Sequence, residues 1–386
     1  MTRVGVVFGG RSVEHEVSVL TAMQVMAAFP DGLTAVPVYI DKEGRWYTGD
    51  RLRTVDAYRD VRALTQSATR VTLRPEPGGP GALLIPEARR GLLGGARDSL
   101  RVDVVMPLVH GTHGEDGTLQ GLFELCDVPY TGSGVAAAAV SMDKRLAKAA
   151  FRAVGLAVVD DAPVMRDAWH ADAAAVMAAV ERRFAYPMYV KPVSLGSSIG
   201  VSRVESQGAL RDALELALAY DWRCIVEPSQ EGVVEVNCAV LGRGDALRAS
   251  ACEQPKPGGL LTYEDKYLSK SAKGGGKSAS TRVIPAPLSD TMTARVQEAA
   301  VDAFRAIGAE GVARVDFLLR PERDEILVNE INTVPGSLAF YLWEPLGLRF
   351  DQLVAQLVTL AQQRYDDKMR TTYSIDTWLL TGRAGG

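Results

Sequence analysis

The sequence predicts an α/β protein built from several domains, on three observations. The chain opens as an apolar strand, a glycine turn and an amphipathic helix. A second strand, VDVVMPLVHG, is apolar enough to be buried on both faces. Near the C-terminus, VDFLLRPERDEILVNEIN alternates polar and apolar residues about a tight loop. The 386 residues, 47% hydrophobic, can bury more than one core. A net charge of -4, with acids and bases nearly balanced, gives no electrostatic reason to expect nucleic acid or an anionic membrane as a partner. The expected ligand is therefore small. Cys126, Cys224, Cys238 and Cys252 lie in apolar contexts without CxxC spacing, which points to buried thiols rather than a zinc knuckle or a disulfide framework. VGVVF is too short for the apolar core of a signal peptide, and no run approaches a membrane span, so a cytoplasmic enzyme is expected.

Val4 to Phe8 form the first strand, Gly9 and Gly10 turn, and Ser12 is placed to cap a helix that carries Val17, Leu20 and Met23 inward until Pro30. This is half of a Rossmann unit, but GGRSVEHE is not GxGxxG, so no dinucleotide site is predicted. Residues 31–99 mix short strand-like runs with turn-rich pieces such as PEPGGPG and carry no functional signal. VDVVMPLVHG then reads as a parallel strand, followed by the loop HGTHGEDG and a helix with Leu119, Leu122, Phe123 and Cys126 at helical spacing. A first Rossmann-like domain over residues 1–140 follows.

The second region, 141–220, begins with the helix around MDKRLAKAAFRAVG and contains the strand YPMYVKPV and the loop LGSSIG. Glycines and hydroxyls after a strand let backbone N–H groups approach phosphate oxygens, and Lys191 just ahead of the loop supplies charge. An ordinary hairpin with a solvated lysine fits the same letters.

The third region, 221–365, contains the polar hairpin. If PERDE is a five-residue loop, Arg320 faces Ile326, Asp316 faces Glu330 and Arg314 faces Asn332. Strand alternation puts Arg314 and Asp316 on one face, with Glu330 and Asn332 beside them. Two opposed carboxylates repel unless a cation lies between them, and with an amide oxygen they make hard ligands suited to magnesium. A solvent-facing polar ladder is the alternative, but Val315, Phe317, Val328 and Ile331 argue for a covered sheet.

Taken in order, GGRSVEHEVS, HGTHGEDGTLQG, YTGSG, SMDK, VKPVSLGSSIG, YEDKY, GVARVDF and NEINTVPGS resemble the motifs of the D-alanine:D-alanine ligases of the ATP-grasp superfamily, from about residue 3 to 360. The resemblance implies a three-domain ATP-grasp fold behind the N-terminal Rossmann-like domain's first-substrate site. It also implies a peptidoglycan-precursor enzyme: ATP phosphorylates the carboxylate of one D-alanine, and the amine of a second attacks the acyl phosphate. ATP and two magnesium ions, or manganese in their place, are the implied cofactors; D-alanine is the substrate and a homodimer the implied assembly. A tail, 366–386, lies beyond the resemblance.

By the same resemblance, Asp316, Glu330 and Asn332 match the metal ligands, with Glu330 bridging two ions. Arg314 and the backbone N–H of Gly336 match the pair that stabilises the tetrahedral oxyanion. Lys144, Lys191 and Lys266 match phosphate-contacting lysines, Ser197 and Ser198 lie in the loop over the phosphates, and Glu227 and Glu235 match acids around adenine and ribose. Pro228 stands where the family often has a basic residue. Glu14 matches the acid that receives the first D-alanine's ammonium, His110 and Glu115 lie near the same amino acid, and Tyr267 matches the tyrosine that reaches Ser197 and Glu14 from a closing loop. SKSAKGGGKSAS has the glycines and positive charges of a lid over phosphates, or of a linker.

Relatives that make D-alanyl-D-lactate carry histidine where this chain has Tyr267, so a dipeptide product is expected. At the second substrate's carboxylate, however, LAFYLWEP puts Tyr341 and Leu342 where the family usually supplies a serine. A ligase with another second substrate (D-serine, glycine or D-lactate) is thus one alternative, and a non-catalytic nucleotide-binding regulator is another. Arg314 argues against the regulator, because a binder needs no oxyanion group.

Overall fold

The computed structural model describes residues 1–77, 82–87, 99–255 and 282–375. Strand β1 (Thr2–Gly9) leads into α1 (His15–Ala27) and β2 (Leu33–Ile40), which pairs parallel with β1. β3 (Trp46–Thr48), α2 (Val61–Ser67), β4 (Thr69–Leu73), β5 (Ala82–Pro86) and β6 (Leu100–Val102) follow, and β7 (Val104–Pro107) returns to lie parallel to the other side of β1. The sheet order is β6-β5-β4-β3-β2-β1-β7, and the β3 to β6 pairings are antiparallel. The Rossmann-like part is therefore three strands wide. Strands β3 to β6, three of them from the stretch read as short strand-like runs without functional signal, supply the antiparallel extension beside it. Because β1 and β7 are parallel neighbours, the loops at their C-terminal ends open into one crevice, the usual ligand position in such sheets. Ser12 does not cap α1 as expected: the helix starts at His15, and the Ser12 hydroxyl accepts the Glu14 N–H at 3.1 Å in the turn before it. That turn directs Glu14 toward the crevice.

After α3 (Thr118–Leu125) and α4 (Val135–Met142), the Asp143 side chain caps α5 (Lys144–Ala153) by accepting from the N–H groups of Arg145 and Leu146. Strand β8 (Ala162–Met165), helices α6 (Arg166–Ala171) and α7 (Ala173–Arg183), strands β9 (Met188–Pro192) and β10 (Ser202–Val204), helix α8 (Gln207–Tyr220) and strand β11 (Arg223–Pro228) complete a second unit. Its sheet runs β10-β9-β11-β8, covered by Trp169, Val180, Leu210 and Leu214. Strand β11, which begins past the sequence-based boundary at 220, hydrogen-bonds to both β9 and β8.

The third sheet is built from β12 (Val234–Arg243), β13 (Ala246–Pro255), β14 (Arg282–Val283), β15 (Gly311–Arg320) and β16 (Glu325–Asn332), in the order β14-β13-β12-β15-β16. Helix α9 (Asp290–Ala306) lays Val296, Ala300 and Phe304 on its apolar face against Val315 and Phe317. Burying each side chain of the larger kind contributes roughly 1.5–3 kcal/mol. Helix α10 (Phe350–Lys368) returns to the first unit and packs Leu353, Val354 and Leu357 into the core that also holds Val4, Val6 and Phe8. Among the described residues no helix is long and apolar enough to cross a membrane.

The hairpin register corrects the sequence reading while preserving its consequence. Arg320 faces Glu325, not Ile326, so the loop is one residue shorter than PERDE and turns through Asp324 at φ 55°. Continued unbroken, that pairing would set Asp316 against Asn329 and rotate Glu330 onto the apolar face. A bulge at Asn329 adds one residue to β16 and restores Asp316 opposite Glu330 and Arg314 opposite Asn332.

Candidate functional site

A cavity lies where the three units meet. It is lined by Glu14 from the turn before α1, His110 and Glu115 from the loop after β7, Lys144 at the start of α5, and Gly196 and Ser197 from the loop after β9; Arg314, Glu330, Asn332 and Gly336 close it from the third unit. Nine sequence-predicted residues thus converge from separated parts of the chain: Glu14, His110, Glu115, Lys144, Ser197, Arg314, Glu330, Asn332 and Gly336.

At one end, buried Glu14 accepts a hydrogen bond from the Ser197 hydroxyl. Ser197 and Ser198 both hold left-handed backbones, φ 50° and 56°, a conformation that costs an ordinary residue about 1–2 kcal/mol. Two glycines make room for the Glu14 carboxylate: a Cβ on Gly196 would sit 2.9 Å from its Oε2, and one on Gly111, at φ +70°, would sit 2.5 Å from it. Beside it, the Thr21 hydroxyl pairs with His110 Nε2 at 3.0 Å, and Glu115 accepts from the N–H groups of Gly111 (2.8 Å) and Val334 (3.0 Å). Burial, reinforced by the Arg314 charge, pushes His110 down to about 4. Burial, reinforced by Glu14 and Glu330 and opposed by the two N–H donors, pushes Glu115 up to about 8. Although His110 Nδ1 and Glu115 Oε2 lie 3.9 Å apart, at neutral pH they are a neutral imidazole beside a largely protonated carboxyl, not an ion pair.

This predicts a pH dependence with a definite sign. A carboxyl whose folded pKa is raised stabilises the protein most below its unfolded value near 4.5 and loses that contribution as pH rises through about 8. Glu115→Gln removes the titration, so its melting temperature is expected to fall less between pH 6 and pH 9 than the parent's, by roughly 2 °C or more. Parallel melting curves for the two proteins would remove the assignment.

On the third sheet, Arg314 grips both oxygens of Asp316, at 2.6 and 2.7 Å, and the Asn332 amide donates to Asp316 Oδ2 at 3.2 Å. Although burial works against its charge, Asp316 holds Arg314 well above the ordinary arginine range. Glu330 and Asn332 face the cavity, while Asp316 stands behind Arg314. The donor set of two carboxylates and an amide oxygen fits a hard divalent cation. Among the described residues no group of three or more His, Cys, Asp and Glu side chains is placed to hold a metal ion by itself. Gly336 opens a turn in which Ser337, Leu338 and Ala339 are all left-handed (φ 53°, 55° and 51°). Burial of Leu338 and Ala339 and a 3.3 Å bond from Ser337 N–H to Thr21 hold this strained turn in place.

Toward the second unit, the Lys144 ammonium donates to the Leu195 carbonyl. Lys191 pairs with Glu227 at 2.6 Å, and Lys148, absent from the sequence-based set, meets the other oxygen of Glu227. Ser198 lies outside the cavity lining, and Glu235 is exposed on β12, on the sheet face that carries Asn237 and Asp316. Lys266, Tyr267, SKSAKGGGKSAS and the tail beyond 375 lie outside the described residues.

Tyr341 is half-buried, and its hydroxyl is already engaged within the protein. Its hydroxyl donates to buried Glu253 at 3.2 Å; Asn237 donates to the same oxygen at 2.9 Å, and the Arg282 guanidinium lies 4.0 Å above the tyrosine ring while pairing with the other Glu253 oxygen at 3.3 Å. The Leu342 side chain is fully buried in the first core, which leaves its backbone for any contact with ligand. The sequence signal for Asn237 was the polar alternation of VEVNC on β12; Lys148 stands one helical turn after Lys144. Glu253 and Arg282 had no local signal.

Models of the D-ala D-ala ligase N-terminus and C-terminus match residues 3–133 and 150–359. A D-alanine–D-alanine ligase of Chloroherpeton thalassium is 35% identical over 376 residues, covering 95% of this chain and 98% of that one. One from Chlorobium luteolum is 37% identical, covering 94% and 97%. Among solved structures, the D-alanine-D-alanine ligase from Coxiella burnetii superposes with a TM-score of 0.79 at 31% identity, covering 96% of each chain. The VanG D-Ala:D-Ser ligase from Enterococcus faecalis gives 0.75 at 31% identity, covering 93% of this chain and 99% of that one. With both family models matched in order, relatives aligned end to end and the ATP-grasp architecture shared, this chain belongs to the D-alanine–D-alanine ligase family.

Proposed function

We propose that this chain joins two D-alanines into D-alanyl-D-alanine for cell-wall synthesis, through a D-alanyl phosphate formed with ATP. The observation that carries it is one cavity lined together by the buried Glu14 carboxylate, the Arg314 guanidinium, the Glu330 carboxylate and the Asn332 amide. A carboxylate is a poor acylating agent. Its oxygen attacks the γ-phosphorus of ATP and ADP leaves; the neutral amine of the second D-alanine then attacks the acyl carbon, the nitrogen gives up a proton, and phosphate departs. Glu14, oriented by Ser197, receives the first ammonium, and His110 with Glu115 lines the same end. Arg314 and the Gly336 N–H stabilise the oxyanion, a contact realised only as charge develops. Glu330 and Asn332, with Asp316, would hold magnesium, which would supply charge neutralisation at the nucleotide. Lys144, Lys191 and Lys266 serve the phosphates, Ser198 the loop over them, and Glu227 and Glu235 the nucleoside, while Tyr267 closes toward Ser197.

The test is ATP-dependent phosphate release by purified protein with magnesium and D-alanine, with mass analysis of the product, repeated with D-alanine against D-serine, D-lactate and glycine. D-alanyl-D-alanine is expected. Turnover only with another pair would move the acceptor assignment and keep the phosphoryl chemistry; no turnover with any pair would overturn the proposal.

Tyr341 acts on the acceptor through Glu253 and Arg282, since its one phenolic proton is committed to Glu253. Tyr341→Phe is expected to raise KM for the second D-alanine about 5- to 10-fold and leave the KM for ATP unchanged, the size of one lost hydrogen bond. An unaltered acceptor KM would remove Tyr341 from the acceptor site. We divide the chain at 140 and, following β11, at 228, with a third unit to 365. Four free buried cysteines, two of them paired across β12 and β13, support a reducing cytoplasm. A homodimer is expected and is checked by sedimentation.

A further inference from the structure

Lys148 has no part in the chemistry above, yet it is as deeply buried as the apolar core. Its side chain is 2% exposed. The ammonium donates to the Val159 carbonyl at 2.9 Å and to Glu227 Oε1, while Lys191 holds Glu227 Oε2 at 2.6 Å. Glu227 therefore stands between two cations. One comes from the closed side, from α5; the other comes from β9, just ahead of the loop that bears Ser197 and Ser198.

One ammonium suffices to neutralise one carboxylate, so the cluster carries a surplus positive charge. The two lysines are not equivalent in where that surplus can go. Lys148 is enclosed, and its second bond is to a main-chain carbonyl; Lys191 keeps 16% of its side chain exposed and feels the field of Glu330 at the cavity. A buried carboxylate left without a cation is costly, because its desolvation is no longer offset. Burial works to raise Glu227, but Lys191 and Lys148 outweigh it and hold the carboxyl down at about 2, so it demands a cation at any working pH.

We propose that Lys148 is a positioning residue that keeps Glu227 neutralised from behind, so that Lys191 can turn its charge to the phosphates of ATP without abandoning a buried anion. This rests on the ATP-dependent ligase reading. Lys148 touches neither nucleotide nor amino acid; it sets the cost of moving Lys191.

The experiment measures ATP binding by calorimetry, with the KM values for ATP and D-alanine, in the parent, Lys148→Met, Lys148→Arg, Glu227→Gln and the double variant Lys148→Met with Glu227→Gln. In Lys148→Met the unpaired carboxylate captures Lys191, and ATP binding is expected to weaken about 10- to 100-fold with D-alanine KM little changed. Lys148→Arg, which keeps the cation, retains most of the affinity. Because Glu227→Gln also removes the acid assigned to the nucleoside, the double variant is compared with Glu227→Gln, and equal ATP affinity is expected, since Lys148 acts only through the Glu227 charge. A role of Lys148 independent of the Glu227 charge predicts that Lys148→Met weakens ATP binding in the Glu227→Gln background as well. ATP affinity in Lys148→Met within twofold of the parent, or a further loss in the double variant relative to Glu227→Gln, overturns the proposal. Should Lys148→Met fail to fold, comparison of Glu227→Gln with the double variant decides: equal ATP affinity is expected, since Lys148 acts only through the Glu227 charge, and a further loss overturns it. Failure of the parent itself to bind ATP would instead defeat the ligase reading on which this depends.

Discussion

Glu330→Gln is expected to lower turnover by about a thousandfold or more, with the loss in kcat and only partial recovery at high magnesium. The side chain keeps its shape and one oxygen donor, so the change isolates charge. Glu330 faces the cavity, and its field reaches Lys144, Lys191 and Glu115. Removing it takes away both an anionic metal donor and the negative charge that offsets the lysines around the phosphates. Phosphate release at saturating ATP and D-alanine, titrated with magnesium, measures the effect. Near-parental turnover at ordinary magnesium would discard the metal role of β16.

Arg314→Lys is expected to cost about 100- to 1000-fold in kcat and to uncouple the two half-reactions. The positive charge survives, but an ammonium cannot hold both Asp316 oxygens at 2.6 and 2.7 Å and also present a planar edge to an oxyanion. Phosphoryl transfer precedes formation of the tetrahedral oxyanion, so the acyl phosphate still forms and is lost to water. ADP production should then exceed dipeptide production, whereas the parent makes them one for one. Strict coupling at a reduced rate would place Arg314 in the phosphoryl step instead.

The chemistry of this chain was more legible than its geometry. Glu14, Arg314, Glu330, Asn332 and Gly336 stand in short motifs because their work needs particular groups at particular spacings, and these converge on the cavity. What escaped depends on partners far apart in sequence. Glu227 and Lys148 are separated by 79 positions, and Glu253 and Tyr341 by 88, so no local pattern links them. The β3 to β6 extension was read only as short strand-like runs, because its strands are short and bounded by turn-forming residues; only pairing in the sheet turns them into a surface. Ser12 was read as a cap because its side chain suits the role, but its hydroxyl accepts from Glu14 before the helix begins. Asp316 and Glu330 were paired correctly from a loop length that was one residue too long, because the bulge supplies that residue elsewhere.

That bulge separates the two ends of the hairpin in heredity as well as in shape. On the far side, PER and Asp324 form an exposed tip; on the near side, Glu330 and Asn332 are fixed by the sheet beneath them. A residue gained or lost at the tip changes the pairing only as far as Asn329, where an extra residue can be taken up or given back. Length variation can therefore accumulate at the tip among descendants of this gene without turning Glu330 and Asn332 away from the cavity, while a residue inserted between Glu330 and Asn332 would set the two on opposite faces of β16. Insertions and deletions in this hairpin should be tolerated on one side of a single position and lethal to activity on the other.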